Sequence, residues 1–530
     1  MRFEGRPCRT PVLESRSNRC MANAASGETG GRKKEVIFLA RPKMVVPVAA
    51  LLLIVALFFG YKRMTSKQVV SEFGKYAGYS SERFDGTRLL SDYLTLPDGK
   101  RLAYDLILPT QKGAVTGERL PTLFKYTPYL RTWTIFDKKG RNLIADFIDL
   151  DWKARAYLRL RYWLSPNGRL FDPLFRTRWL ETMVKHGYAV IIVERPGTGA
   201  SFGVINPDFE ANAVECDELF NWIAAQPWSD GKIGMFGDSF QAMVQIAAAS
   251  TGNPHLKAIF PAATPIELYD SIEYRGGVYN QAFSTFFAGA ASHLETLVTP
   301  VQTDKDGTLL AQARQERRSA TLKEQTDLSD QRYAFRDALT PRGQRLWDGA
   351  ALWRFLERIN RSGVAVYLTS GWYDLWPADG FFWYENLTVP KRLTMRPLDH
   401  TGMDKTGFDL DYAAEALRWF DYWLKDIPNG IMDEPGIHYY VMGAPRRTAW
   451  HSARSWPPEG QSSLHLFFSG GKSGTAASAN DGMLSDAAPT APAAFDVHTV
   501  DYSTTTGSRS RWTAVNWPRR YPDMRRNDTK

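Results

Sequence analysis

The chain has 530 residues, of which 44% are hydrophobic and 13% aromatic, a composition typical of folded globular proteins and not of intrinsically disordered ones. Its net charge of +9 is concentrated at the two ends, because residues 1–43 carry ten Lys/Arg against four Glu and residues 501–530 carry seven against three Asp. The residues between are close to neutral, which argues against a basic face and against nucleic acid as a partner.

An uncharged run, Met44–Tyr61, follows the basic tail. Its eighteen residues would span about 27 Å as a helix, enough for a bilayer core. Five cations lie between residues 32 and 43 and only Lys62 and Arg63 follow at once, so the positive-inside rule places the tail, expected to be disordered, in the cytoplasm. We therefore predict a single-pass membrane anchor with the rest of the chain on the exported side. A cleaved signal peptide is the alternative.

Strand patterns begin near residue 75. Two alternating runs, Leu94–Leu96 and Leu102–Leu108, flank Pro97-Asp98-Gly99-Lys100 and predict a β-hairpin. A strand at Leu123–Tyr126 follows and runs into Pro128-Tyr129. Residues 130–180 are charged and aromatic-rich, and predict an insertion with helices of its own.

From Tyr188 strands and helices alternate, which predicts a mostly parallel sheet with helices on both faces. The predicted strands are Tyr188–Val193, Ile233–Phe236, Leu256–Phe260, Val364–Thr369 and Leu393–Arg396, and the helices are Glu210–Gln226, Phe240–Ala249 and Leu410–Lys425. Residues 265–362 interrupt this alternation with helical periodicity and predict a cap. We expect the α/β domain to span residues 75–430.

Ser239 lies between a predicted strand and a predicted helix, in the sequence Gly237-Asp-Ser-Phe-Gln-Ala242. This is the arrangement of a nucleophile elbow, in which a tight turn exposes the serine hydroxyl and small neighbours make room for it. The start of the helix also aims backbone N–H groups at the place where an oxyanion would form. On the motif alone, a strand–turn–helix without chemistry is an equally good interpretation.

A serine nucleophile needs a base, and the base needs a carboxylate that orients it. Asp374 follows the strand Val364–Thr369, and His400 follows the strand Leu393–Arg396, which is the order of an α/β-hydrolase triad. Asp379 and Asp399 are competing candidates for the acid. The sequence shows no motif for a metal or an organic cofactor, and Cys8, Cys20 and Cys216 form neither a disulfide framework nor a CxxC metal site.

The loop Glu194–Gly203 contains Gly-Thr-Gly-Ala-Ser-Phe-Gly but lacks the spacing of a phosphate-binding motif, so we interpret it as a tight loop packed beside the active site. After Ile427 the composition shifts, and His438–Met442 and Leu464–Phe468 predict the strands of a β-rich region. We expect both strands to pack on the preceding domain and Arg509–Lys530 to be irregular.

Several blocks in order resemble the CocE/NonD hydrolases, which include cocaine esterase, X-Pro dipeptidyl-peptidases and α-amino-acid ester hydrolases. They are the Gly-Thr-Gly loop, residues 225–239, Gly371-Trp-Tyr-Asp374, and the segment from Trp419 to Gly443. The resemblance implies an α/β-hydrolase core with a helical cap and a C-terminal jelly roll, of which residues 431–530 would form only part. It also implies a triad of Ser239, Asp374 and His400, with an oxyanion hole formed by the Phe240 N–H and the Tyr129 hydroxyl.

The predicted function is therefore that of a membrane-anchored serine hydrolase that cleaves a small-molecule ester or a peptide-like amide. One alternative is an aminopeptidase acting on X-Pro peptides, in which Glu267, Asp270 or Glu273 would hold the substrate ammonium. Another is a catalytically silent, membrane-tethered binding protein.

Overall fold

A computed structural model describes the chain over residues 69–144, 152–164, 170–324, 333–339, 343, 345–400, 407–474 and 481–490. The tail 1–43, the run Met44–Tyr61 and the segment Arg509–Lys530 lie outside the described residues. No helix within the described ranges is both long and apolar enough to cross a bilayer.

One mixed sheet of eleven strands organises the described part of the chain. Its main strands are β1 (Gly86–Thr95), β2 (Arg101–Gln111), β3 (Leu120–Thr127), β4 (Ala189–Glu194), β5 (Ser229–Asp238), β6 (Leu256–Ala262), β7 (Ala365–Gly371), β8 (Lys391–Arg396), β9 (Ile437–Tyr440) and β10 (Trp450–Ala453). The order across the sheet is β1-β2-β4-β3-β5-β6-β7-β8-β9-β10, and the short strand Ala114–Val115 pairs with β2.

The pairs from β4 through β9 are parallel, whereas β1, β2 and β10 run antiparallel to their neighbours. The central strands are therefore continuous apolar runs, because a parallel sheet is buried on both faces. The predicted hairpin and all five predicted parallel strands are confirmed; the strand predicted at Tyr188–Val193 is shifted by one residue, and the other four parallel strands are longer than predicted.

Helices cover both faces, as predicted. The main helices are α1 (Trp152–Leu164), α2 (Trp179–Lys185), α3 (Phe209–Ala224), α4 (Phe240–Ala249), α5 (Gln281–Leu294), α6 (Thr308–Glu324), α7 (Leu356–Ser362), α8 (Pro377–Asn386) and α9 (Tyr412–Lys425). Helices α3 and α4 share one core with Ile191 of β4, whereas α2 and α9 share the other with Val190, the adjacent residue. Helix α8 was not predicted, because its aromatic residues show no clear helical stripe.

The segment after Tyr129, predicted to be an insertion, contains helices as expected, α1 and the short helix Pro173–Arg176, and a two-stranded pair joins Trp133–Thr134 to Leu170–Phe171. The cap region is mostly helical in its described parts, with one short antiparallel pair of Tyr274–Arg275 and Val278–Tyr279. It begins with a π-helical turn at Tyr269–Glu273, continues through α5 and α6, and ends with the short helix Leu346–Gly349, a 3₁₀ turn at Leu352–Phe355, and α7.

In the C-terminal region one predicted strand, His438–Met442, packs on the hydrolase body as expected, whereas the other does not. Strand β9 pairs in parallel with β8, and β10 pairs with β9, so both extend the hydrolase sheet and the expected boundary at residue 430 falls inside one continuous layer. Leu464–Phe468 was expected to pack on this body, but within the part of the chain that the structure describes Phe467–Ser469 pairs only with Met483–Ser485, and the Phe468 side chain is 84% exposed. Residues 491–530, assigned to the partial jelly roll, lie outside the described part of the chain.

Candidate active site

Ser239 occupies a strained turn between β5 and α4. Its backbone angles are φ 60° and ψ −126°, in the left-handed half of conformational space that non-glycine residues rarely adopt. Such a conformation costs about 1–3 kcal/mol and persists only where the surroundings hold it. Here the Ser239 N–H donates to the Ala262 carbonyl at 3.0 Å, and the Met243 N–H donates back to the Ser239 carbonyl at 3.0 Å. The turn is therefore clamped from the neighbouring strand and from the helix.

Gly237 makes this turn possible. Its φ is +142°, and a Cβ placed there would lie 2.7 Å from the Cβ of Gln241 in the first turn of α4. No side chain fits between the strand end and the helix at this point. This is the physical reason for the small residue two positions before the serine.

Tyr129 reaches the serine from the end of β3. Its hydroxyl lies 3.3 Å from the Ser239 Oγ, and the backbone N–H of Phe240 also approaches the phenol oxygen. Burial raises the pKa of Tyr129 to about 12, with the nearby charge of Asp238 acting in the same direction. The phenol therefore keeps its proton at neutral pH and can donate it beside the serine oxygen, and the Phe240 N–H lies next to the same phenol.

Thr127 ties the Tyr129 segment to the helix that carries the serine. Its Oγ1 accepts the Tyr129 N–H at 2.9 Å and the Gln241 side-chain amide at 2.7 Å. Leu130 has a φ of 64°, so the chain turns sharply directly after the tyrosine. Neither Thr127 nor Gln241 was predicted from the sequence as part of the site; their positions at a strand end and just after the elbow were the available signals.

Glu194 holds this turn from the other side. One carboxylate oxygen accepts the Arg131 N–H at 3.0 Å and the other accepts the Ala200 N–H at 2.7 Å. Burial raises the pKa of Glu194, although the guanidinium of Arg131 opposes that effect. Gly199 adopts a φ of +57°, and a Cβ there would lie 2.2 Å from the carboxyl carbon of Glu194. The glycine-rich loop is thus built around a buried carboxylate and supports the Tyr129 turn.

Asp374 and His400 form the second hydrogen-bonded pair of the site. The His400 Nδ1 lies 2.7 Å from the Asp374 Oδ1, and the Asp374 side chain is fully buried. Burial lowers the pKa of the His400 imidazole, but the charge of Asp374 and its hydrogen bond outweigh burial and hold that pKa above its ordinary value. The ring of Trp376 contacts the imidazole edge-on at 5.1 Å between centroids. Because Nδ1 is engaged, Nε2 is the nitrogen available for proton transfer.

Asp379 performs a different task from that considered in the sequence. A single carboxylate oxygen accepts the Ile266 N–H at 2.9 Å and the Ser271 hydroxyl at 2.7 Å. Burial raises its pKa. Asp379 therefore joins α8 to the start of the cap, and Asp374 is the carboxylate that holds the imidazole.

The two pairs lie at the same edge of the sheet. Ala262, whose carbonyl binds the Ser239 N–H, belongs with Ala263 to a small apolar cluster on which Leu398 packs, two residues before His400. The loop after β8 therefore folds back toward the serine. Among the hydrogen bonds of the described residues, none joins Ser239 directly to His400; such bonds commonly tighten only when substrate is present.

The cap carboxylates considered for a substrate ammonium already have partners. Both terminal nitrogens of the Arg336 guanidinium donate to Glu267, and the Trp353 indole adds a third hydrogen bond at 3.1 Å. The hydroxyl of Ser284 donates to Glu273, whose pKa is raised by burial. Asp270 accepts the Gly276 N–H at 3.2 Å.

Comparison with known proteins identifies relatives across most of the chain. The X-Pro dipeptidyl-peptidase (S15 family) profile matches residues 98–402. A protein of Mycobacterium bovis that bears the name of a serine esterase is 27% identical over 84% of this chain and 72% of its own length. Cocaine esterase of a Rhodococcus species is 25% identical over 76% of this chain and 66% of its own length.

Among solved structures, a CocE/NonD family hydrolase of Staphylococcus aureus is 17% identical, with a TM-score of 0.47 over 74% of this chain. This chain spans 63% of that structure, less than two thirds of its length. The assignment of the fold rests on the strand order and the elbow described above.

Proposed function

Because this chain belongs to the X-Pro dipeptidyl-peptidase family S15 and is a serine hydrolase, we propose that it cleaves carboxylic esters through an acyl-enzyme on Ser239. His400 acts as the general base, Asp374 orients it, and Tyr129 with the Phe240 N–H forms the oxyanion hole. The observation that carries this proposal is the Tyr129 hydroxyl 3.3 Å from the Ser239 oxygen, with the Phe240 N–H in contact with the same phenol.

In the first step the Ser239 Oγ attacks the ester carbonyl carbon while its proton passes to the His400 Nε2. The carbonyl π electrons move onto oxygen, and the resulting oxyanion accepts hydrogen bonds from Tyr129 and from the Phe240 N–H. Collapse of this intermediate breaks the bond to the leaving alcohol, which takes the proton from His400. Water then attacks the acyl-enzyme in the same way, releasing the acid and restoring Ser239.

The buried carboxylate of Asp374 favours this division of roles. Its hydrogen bond to Nδ1 selects the tautomer in which Nε2 accepts a proton, and its negative charge stabilises the imidazolium that forms during the reaction. The raised pKa of His400 is the ground-state sign of that stabilisation.

Ester cleavage is favoured over X-Pro aminopeptidase activity by the state of the cap carboxylates. An aminopeptidase of this kind needs an available carboxylate for the substrate ammonium, but Glu267 is bound by Arg336 and Glu273 is buried against Ser284. A neutral acyl ester makes no such demand. Asp270, which is exposed and accepts the Gly276 N–H, is the third cap carboxylate, so good turnover of X-Pro amides would point to Asp270 or to the opening of one of these pairs.

A fluorophosphonate probe followed by a substrate panel tests the proposal. Wild-type protein should be labelled at Ser239, and the Ser239→Ala variant should lose both labelling and turnover, by a factor on the order of 10⁶ in kcat. Short-chain acyl nitrophenyl esters should be hydrolysed faster than X-Pro nitroanilides at equal concentration. Labelling that survives in Ser239→Ala would reject the nucleophile, and the reverse order of substrates would favour the aminopeptidase.

We further propose that Met44–Tyr61 anchors this hydrolase in a membrane, with its body on the exported side. The support is the length of the uncharged run and the excess of cations before it. Protease added outside intact spheroplasts should digest the hydrolase body. Complete protection there, with digestion only after lysis, would reverse the topology.

A further inference from the structure

Helix α1, in the insertion after Tyr129, is apolar on the side that faces the protein. Leu158 is only 4% exposed and packs in a cluster with Ile135 and Phe136. The Tyr162 ring adds to this contact, with its centroid 4.9 Å from that of Phe136. One side of the helix is thus buried against the protein's own core.

The opposite side of α1 is also apolar, which is unusual for a helix on a protein surface. Its large exposed apolar residues are Trp152 at 75%, Tyr157 at 48%, Leu160 at 57%, Trp163 at 87% and Leu164 at 73%. At about 100° per residue, these five positions fall in one arc that lies away from Leu158. A cluster of two tryptophans, a tyrosine and two leucines is the kind of surface that marks an interaction site.

Positive charge accompanies this apolar arc. Within the thirteen residues of α1 there are four cations, Lys153, Arg155, Arg159 and Arg161, and no acidic residue. The excess of positive charge extends over the wider segment: residues 146–178 contain seven Lys/Arg against four Asp. Lys153 and Arg159 are exposed beside the aromatic residues, and the Lys153 ammonium lies 5.8 Å from the Trp152 ring centroid.

We propose that α1 is a docking helix for the surface of an anionic lipid bilayer. Tryptophan and tyrosine prefer the boundary between headgroups and acyl chains, where leucines insert and flanking cations meet lipid phosphates. A soluble acidic protein would form ion pairs with the cations, but its charged surface would not bury two protruding tryptophans. An anionic bilayer can bind both the apolar side chains and the cations of this surface.

The position of α1 relates this docking to the active site. The Trp133 indole donates to the Tyr129 carbonyl at 2.7 Å, and Trp133 pairs with Phe171. Phe171 stacks on Phe175 at 4.6 Å, and Phe175 stacks on Tyr157 of α1 at 6.3 Å. A chain of aromatic contacts therefore joins the docking helix to the turn of Tyr129.

The proposal extends the proposed membrane attachment and does not depend on the serine chemistry. Full-length protein with Cys8→Ser and Cys20→Ser retains only Cys216, which is buried and protected from labelling. Trp163→Cys in this background carries an environment-sensitive fluorophore. In proteoliposomes of equal phosphatidylcholine and phosphatidylglycerol, its emission should shift to the blue and be quenched by nitroxide-labelled lipids.

Val115→Cys is the matched control. Val115 is 42% exposed and pairs with β2 beyond the point where that strand meets the amino end of β4, at the edge opposite Ser239. Its label should stay in water. Adding Lys153→Gln and Arg159→Gln to Trp163→Cys should lower the membrane-inserted fraction, since two cations together change partitioning on the order of 30-fold.

Equal water exposure of the labels at 163 and 115 would overturn the proposal, as would quenching at 163 that is the same with pure phosphatidylcholine. Shielding of the label by soluble polyglutamate but not by vesicles would assign the surface to an acidic protein instead. Flotation of the protein with vesicles reports the Met44–Tyr61 anchor separately, and hydrolysis of a soluble ester reports the serine hydrolase.

Discussion

Tyr129 and Ser239 are 110 residues apart in the chain, yet the hydroxyl of one lies 3.3 Å from the hydroxyl of the other. In the proposed mechanism the phenol donates a hydrogen bond to the oxygen of the tetrahedral intermediate, and its raised pKa keeps the proton that it donates in place. This contact links a strand end, a strained turn and a helix start into one catalytic arrangement.

Replacing Tyr129 with phenylalanine removes only this donor. The Tyr129→Phe variant should lose roughly 10²–10³ in kcat with a much smaller change in KM, because the hydrogen bond strengthens as charge develops on the oxygen. Steady-state kinetics with one acyl ester provides the measurement. Tyr104→Phe is the control, since that ring packs on Trp222 at 5.6 Å, and it should keep full activity. Full activity in Tyr129→Phe would assign the oxyanion hole to other donors.

Asp374→Asn should change both the rate and its pH dependence. The neutral amide favours the wrong imidazole tautomer, so kcat should fall by about 10⁴. In the wild type, kcat/KM should rise as pH increases through the raised pKa of His400, because the base acts only when neutral. Without the Asp374 charge, burial dominates, so this inflection should move to lower pH.

Asp379→Asn is the control for that variant. One oxygen of Asp379 accepts both of its hydrogen bonds, so an asparagine can keep them and the fold should be retained. Its pH–rate profile should stay close to that of the wild type. A loss of activity in Asp379→Asn as large as in Asp374→Asn would show that the acid has been wrongly assigned.

Gly237→Ala should destabilise the elbow. The new methyl group would meet the Cβ of Gln241 at 2.7 Å in a backbone conformation that already disfavours side chains, and the strain alone costs about 1–3 kcal/mol. The melting temperature and the kcat should both fall. Gly252→Ala measures the cost of backbone strain alone. Gly252 has a φ of +68°, but no atom lies within 4 Å of the added Cβ. It should lower the melting temperature less and leave kcat unchanged; equal effects in the two variants would contradict the steric argument.

Glu194→Gln tests whether the glycine-rich loop positions Tyr129. Its two carboxylate oxygens each accept one backbone N–H, so a glutamine leaves one of these donors facing an amide NH₂ and loosens the turn at Leu130–Arg131. We expect kcat to fall with little change in KM. In the Tyr129→Phe background the same change should cost much less, because the group being positioned is gone. Additive losses in that double variant would mean that Glu194 acts only on general stability.

Strands, helices and turns could be predicted from the sequence where a residue and its near neighbours along the chain determine the local conformation. The run Ile233–Phe236 predicts its strand and Gly237 allows the turn, because a backbone that must bend sharply admits only certain residues there. Asp374 and His400 were placed after strands β7 and β8 for the same reason, since apolar runs and loop residues alternate along the chain.

Which side chains contact one another across distant segments is determined only by the tertiary structure. Asp374 and Asp379 look alike in sequence, but only one lies against His400, and Glu267 is bound by Arg336, 69 residues away. Likewise, the pattern of His438–Met442 predicts a strand but not its partner, which proved to be β8 of the hydrolase sheet. Periodicity reports which side of an element is apolar, whereas hydrogen-bond partners and charge pairs depend on distances between segments that only the folded chain brings together.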